Sequence, residues 1–124
     1  MAGEGTKQFG KWGERVAAWH LEKKGFRIIE EHYTSRLGEI DIIAEEQGQL
    51  VFVEVKTRSS ANAGLPEEGL TRGKAHRLKR AILAYVGKKG IENYRIDVVA
   101  VDCGLRVDKI VIRHHRAVSD IFRR

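Results

Sequence analysis

A chain of 124 residues, 42% hydrophobic and 32% charged, carries enough apolar side chain for one buried core, and this composition excludes an intrinsically disordered chain. Lys and Arg number 23 against 17 Asp and Glu, a formal charge of +6 that favours polyanionic partners, nucleic acid before anionic membrane. The single cysteine, Cys103, excludes an intrachain disulfide and a cysteine-built zinc cluster.

The first ten residues are polar and Gly-rich, without the apolar stretch of a secretory leader, and no apolar run reaches the length of a membrane span; a cytoplasmic protein is expected. Over about 7–24, Phe9, Trp12, Val16, Ala17 and Leu21 fall on one helical stripe that Gly25 stops, although Gly10 and Gly13 weaken its start. Three strands follow, over about 26–33, 38–45 and 49–58. A loop with Gly64 and the sole proline, Pro66, covers about 59–69. Thr71 is placed to cap a second helix over about 71–86, with Ala75, Leu78, Ile82 and Tyr85 facing the core and Gly87 and Gly90 ending it. The segment 94–101 is nearly continuous apolar sequence, as in a strand covered on both faces; a turn at 102–104 and a fifth strand over about 106–113 follow. From His114 onward a short helix or a loose basic tail is expected. The order α-β-β-β-α-β-β, with the second helix as a crossover, predicts an α/β fold with a mixed five-stranded sheet in a single domain, its core about 8–115 and its basic tail 116–124.

Acidic residues and a lysine interrupt the second and third strands. With Gln47-Gly48 as a two-residue turn, Asp41 falls opposite Glu54, and Glu39 opposite Lys56. Opposed Cβ atoms stand about 4.5–5.5 Å apart, a spacing at which two carboxylates can share a hard divalent cation. Alternation puts Glu54 and Lys56 on one face, with Val53 and Val55 on the other. This arrangement points to metal-dependent phosphodiester cleavage, with Asp41 and Glu54 holding Mg2+ or Mn2+, Lys56 orienting water or meeting charge on the phosphate, and Glu14 of the first helix either reaching in as a further acidic ligand or standing as an ordinary surface residue. The competing reading is a Glu39–Lys56 ion pair beside solvated carboxylates. On the second helix Lys74, Arg77 and Arg80 are either phosphate contacts or a solvated face, and Arg58 shares the face of Lys56. Trp12 and Trp19 read as core. His20, His32 and His76 show no ligand spacing, and His114 and His115 face opposite sides of a strand.

Lys11-Trp12-Gly13-Glu14, Gly38-Glu39-Ile40-Asp41 and Val51-Phe52-Val53-Glu54-Val55-Lys56-Thr57-Arg58, with Lys74, Ala81 and Tyr85, resemble the YraN family of small bacterial proteins over about 8–115. The resemblance implies a restriction-endonuclease-like, PD-(D/E)XK fold, a three-layer α/β/α arrangement similar to that of archaeal Holliday junction resolvases. It implies that the superfamily's metal-binding Asp is Asp41, that its Glu-x-Lys is Glu54-Val55-Lys56 with the Val55 carbonyl as a further metal ligand, and that the helix-borne Glu is Glu14. Ile40 stands where the superfamily's name places a proline. The expectation is a metal-dependent endonuclease acting on DNA rather than RNA, on branched or repair intermediates, for which a homodimer would suit a two-fold junction. The alternatives are a nucleic-acid-binding module of the same fold with little or no turnover, and an adaptor whose basic face meets an acidic protein.

Overall fold

The computed structural model describes residues 2–59, 72–104 and 109–118, with side chains from residue 7 in the first helix and from residue 73 in the second. The proposed Thr71 cap, the loop around Pro66, Arg106 and the last six residues lie outside them. Helix α1 spans Ala2–Lys23, and strands β1 (Arg27–Thr34), β2 (Glu39–Glu46) and β3 (Gln49–Arg58) follow. Helix α2 spans Arg72–Lys89, and β4 (Tyr94–Cys103) and β5 (Ile110–His115) complete the chain order. The helix α2 runs through Gly87, an exposed position in its last turn, and ends instead at Gly90, whose φ of 67° is the left-handed value a helix stop favours.

The strands lie in the order β1-β2-β3-β4-β5; β3 and β4 are parallel, joined through α2, and the other neighbours are antiparallel. On one face Ala17, Ala18 and Leu21 of α1 pack with Ile42, Ala44, Val51, Val53, Val99 and Val101. On the other, Leu78, Ala81, Ile82, Tyr85 and Val86 of α2 pack with Ile40, Ile43, Phe52 and Ile96. The result is the expected three-layer α/β/α fold. Each fully buried Leu, Ile, Val or Phe contributes about 1.5–3 kcal/mol relative to an exposed one, so the central strands, apolar on both faces, hold the layers together.

Two expectations are corrected. The segment from His114 is neither a helix nor a loose tail as far as residue 118: His114 and His115 belong to β5, and the Val118 N–H bonds the Ile96 carbonyl at 2.8 Å. Trp19 is not core. It stands 55% exposed with the Lys23 ammonium 4.3 Å from its ring, whereas Trp12 packs against the α1 core. Strand β4 is nearly continuous apolar sequence, as expected, and its exception is Asp97, fully buried in it. Burial alone would raise the Asp97 pKa, but hydrogen bonds from His114 (2.8 Å), Arg95 (3.0 Å) and the Ala117 N–H (2.9 Å) outweigh it and bring it down to about 2. That carboxylate thereby fastens the end of β5 and the residues after it onto the sheet.

Candidate metal centre

Gln47 and Gly48 have φ of 52° and 82°, the paired positive values of a type I′ turn, and β2 and β3 pair in the register this turn sets, from Glu46↔Gln49 to Ile42↔Val53. There the ladder stops. Beyond it β2 stays with β1 (Ile40↔Tyr33, Glu39↔Thr34), while β3 stays with β4 as far as Arg58↔Asp102. The expected cross-strand partners Asp41–Glu54 and Glu39–Lys56 are therefore not ladder pairs; they stand on the two arms of a fork.

The fork opens because alternation fails at Asp41. Ile42 packs in the α1 core and Ile40 in the α2 core, although residues two apart on a regular strand share a face. The Asp41 carboxylate takes over the role of the missing ladder, its Oδ2 accepting the Val55 N–H at 2.8 Å. Asp41 also shares a side-chain hydrogen bond with Glu54, so the two carboxyl groups do meet, by a route the simple hairpin register does not give. Glu54 and Lys56 share the α2 side of β3, as alternation predicts, and the Val55 side chain packs toward α1.

Glu14 reaches the fork because of its neighbour. Gly13 is buried, and a Cβ there would stand 1.8 Å from Thr57 Oγ1 and 2.8 Å from Thr57 Cβ, so α1 crosses β3 at a distance only glycine permits. Glu14, with 17% of its side chain exposed, then lies with Oε1 3.3 Å from His32 Nδ1. On the opposite face the β1–β2 turn, closed by the Ser35 N–H on the Gly38 carbonyl at 2.9 Å, sits against α2: a Cβ on Gly38 would lie 2.6 Å from the Arg77 carbonyl oxygen.

The electrostatics follow from crowding of like charge. Burial, and then the neighbouring Asp41, push the Glu54 carboxyl well above the ordinary carboxylate range. Glu14 is raised for the same two reasons, with its bond to His32 opposing. Burial lowers the Lys56 ammonium; Glu54 opposes this, while the positive charges of Lys74 and Arg58 add to it. Lys74 also acts on Glu54, which places it and Arg58 within electrostatic reach of the fork. Arg77 and Arg80 are exposed on α2. Two carboxyl groups that share a hydrogen bond, with one pKa raised by the other, fit a hard divalent cation: an ion can replace the proton between them.

Among the described residues, the group of three or more whose ligand atoms all lie within 4.8 Å of one another is Glu14, His32 and Asp41. Spacing along the chain does not mark His32, so the sequence reading passes it over. The turn at 35–38 does mark it: with Thr34 opposite Glu39 and Tyr33 opposite Ile40, His32 falls opposite Asp41.

Comparison with known proteins gives the family. Residues 13–101 match the model of the "Uncharacterised protein family UPF0102". A UPF0102 protein of Alkaliphilus metalliredigens is 46% identical over 101 residues, covering 80% of this chain and 89% of its own. One from Trichlorobacter lovleyi is 42% identical over 104 residues, 82% of each chain, and one from Roseiflexus castenholzii is 38% identical over 117 residues, 92% of this chain and 94% of its own. The chain belongs to the UPF0102 family, the YraN family its motifs resemble.

Proposed function

We propose that this protein is a metal-dependent endonuclease of the restriction-endonuclease-like kind that hydrolyses phosphodiester bonds in DNA, with branched or repair intermediates as its substrates. The observation that carries this reading is the fork between β2 and β3, where Asp41, Glu54, Glu14 and Lys56 converge from three elements. Asp41, Glu54 and Glu14, with the Val55 carbonyl beside them, would hold Mg2+ or Mn2+. Such an ion, when bound, polarises a phosphate and lowers the pKa of a coordinated water. Lys56, on the same face as Glu54, orients the attacking water and meets the negative charge that develops on the phosphate. Its ammonium, pushed down by burial, can exchange a proton there more readily than an exposed lysine. Lys74 and Arg58, within electrostatic reach of Lys56, would meet flanking phosphates, and the exposed Arg77 and Arg80 would extend that contact along α2.

The test is cleavage of linear, flapped and four-way-junction DNA with Mg2+ or Mn2+, beside EDTA and a Glu54→Ala variant. The expected result is metal-dependent cutting that the variant loses by at least a hundredfold while still binding DNA. DNA binding without cutting under either metal would instead leave a nucleic-acid-binding module of this fold, and no binding at low salt would favour the adaptor reading.

A further inference from the structure

The carboxylates and Lys56 leave one chemistry-bearing side chain at the fork without a role. His32 sits on β1, across from Asp41, with a φ of 56°, in the left-handed region that few non-glycine residues adopt and that is rarer still within a strand. Its two ring nitrogens face different carboxylates. Nδ1 is 3.3 Å from Glu14 Oε1, and Nε2 is 4.0 Å from Glu39 Oε1. Glu39 is the acid that the simple hairpin register pairs with Lys56; it stands 60% exposed beside His32 instead.

An ion about 2.1 Å from each of its ligands holds those ligand atoms roughly 3–4 Å apart. The ligand atoms of Glu14, His32 and Asp41 already lie within 4.8 Å of one another, so small side-chain shifts close them around one ion. We infer that His32 is a direct nitrogen ligand of the divalent ion, joining Glu14 and Asp41 on the side of the ion away from Glu54, and that Glu39 holds its ring by accepting the hydrogen of the other nitrogen. A carboxylate behind a metal-bound imidazole is the usual means of fixing which nitrogen carries the proton.

This inference rests on the metal-dependent reading above and sharpens it into a metal preference. An all-oxygen set suits Mg2+, whereas one imidazole among carboxylates favours Mn2+ and later first-row ions over Mg2+. In this arrangement Asp41 is the shared residue: it touches Glu54 and the Val55 amide on the β3 side and joins Glu14 and His32 on the other. A His32–Glu14 ion pair with no part in metal binding is the rival account, and it predicts no bond between the imidazole and the ion.

The experiment is pulsed electron paramagnetic resonance on the full chain titrated with Mn2+, with binding constants for Mn2+ and Mg2+ measured alongside. Bound Mn2+ should show 14N modulation from a coordinated imidazole. In His32→Asn that modulation should vanish and Mn2+ affinity should fall about tenfold or more, while Mg2+ affinity falls by less. Asn tolerates positive φ, so the variant keeps the backbone, and circular dichroism checks its fold. The wild-type spectrum decides the matter even if the variant fails to fold, because no other histidine among the described residues falls in a ligand group with Asp41. Mn2+ that binds, and whose binding Asp41→Asn abolishes, but that shows no 14N modulation overturns the inference while leaving the hydrolase reading intact. Absence of any Mn2+ binding overturns both.

Discussion

Glu54 shows how a single carboxyl group can work against the fold that holds it. Burial and the adjacent Asp41 raise its folded pKa above the ordinary value of 4.5, so the metal-free folded protein keeps a proton that the unfolded chain has released. Stability is therefore highest below the unfolded value, declines as pH climbs from there toward the raised folded value, and carries the full penalty above it. Glu14 tilts the same way and for the same first cause. Glu54→Gln removes the larger share. In EDTA, calorimetry should find the variant melting a few degrees above wild type at neutral pH, the gap closing near pH 4. Added Mn2+ should reverse the order, because only wild type can then exchange the strained proton for a bound ion. A variant that melts below wild type in EDTA at neutral pH would show that burial does not strain this carboxyl.

At the level of helices and strands, the crossing of α1 over β3 rests on Gly13. As a helix residue it costs about 1 kcal/mol relative to Ala, so helix propensity alone predicts that Gly13→Ala stabilises. Its approach to Thr57 predicts the opposite, because the added methyl carbon would overlap the Thr57 side chain. Overpacking of this kind costs about 1–3 kcal/mol, and here it would also lift Glu14 off the fork. Denaturant unfolding should find Gly13→Ala destabilised by about 2 kcal/mol, and should find that cost reduced in a Thr57→Gly background, the non-additivity that marks direct contact. Additive effects would mean that α1 is not held by this approach. Much of this level was legible in the sequence. The stripe on α1, the Gln47-Gly48 turn, the bounds of β3 and the buried face of α2 all follow from local periodicity and turn chemistry. What was not legible depends on three-dimensional approach. Gly13 reads as a flaw in a helix until β3 is placed beside it. Asp97 is one acid in an apolar run until His114, Arg95 and Ala117 close around it. The fork at Asp41 is a failure of alternation that no two-residue turn announces, and His32 comes across from Asp41 through the turn at 35–38, not through any spacing along the chain.

Considered whole, the molecule sets an acidic fork inside a basic exterior. Lys56 and Lys74 bear on the Glu54 carboxyl, Arg58 bears on Lys56, and Arg77 and Arg80 stand exposed on α2 in a chain of formal charge +6. Such a field would draw a polyanion to the fork by its backbone rather than by its bases. If it does, the logarithm of DNA affinity should fall linearly with the logarithm of salt concentration. Replacing Lys74, Arg77 and Arg80 together by Ala should flatten that slope by about 0.9 for each phosphate no longer neutralised, without changing the preferred sequence. An unchanged slope would move the DNA-binding surface to another face of the protein.

The hydrogen bond from the Val55 amide to Asp41 makes that amide proton unusual among those of the central sheet. In the regular ladders of the sheet an amide bonds a backbone carbonyl whose charge never changes, whereas this one is bonded to a carboxylate that would gain or lose charge with every ion or proton entering the fork. In a nitrogen–proton correlation spectrum the Val55 cross-peak is therefore a native gauge of the site, readable without an added probe, a substrate or turnover.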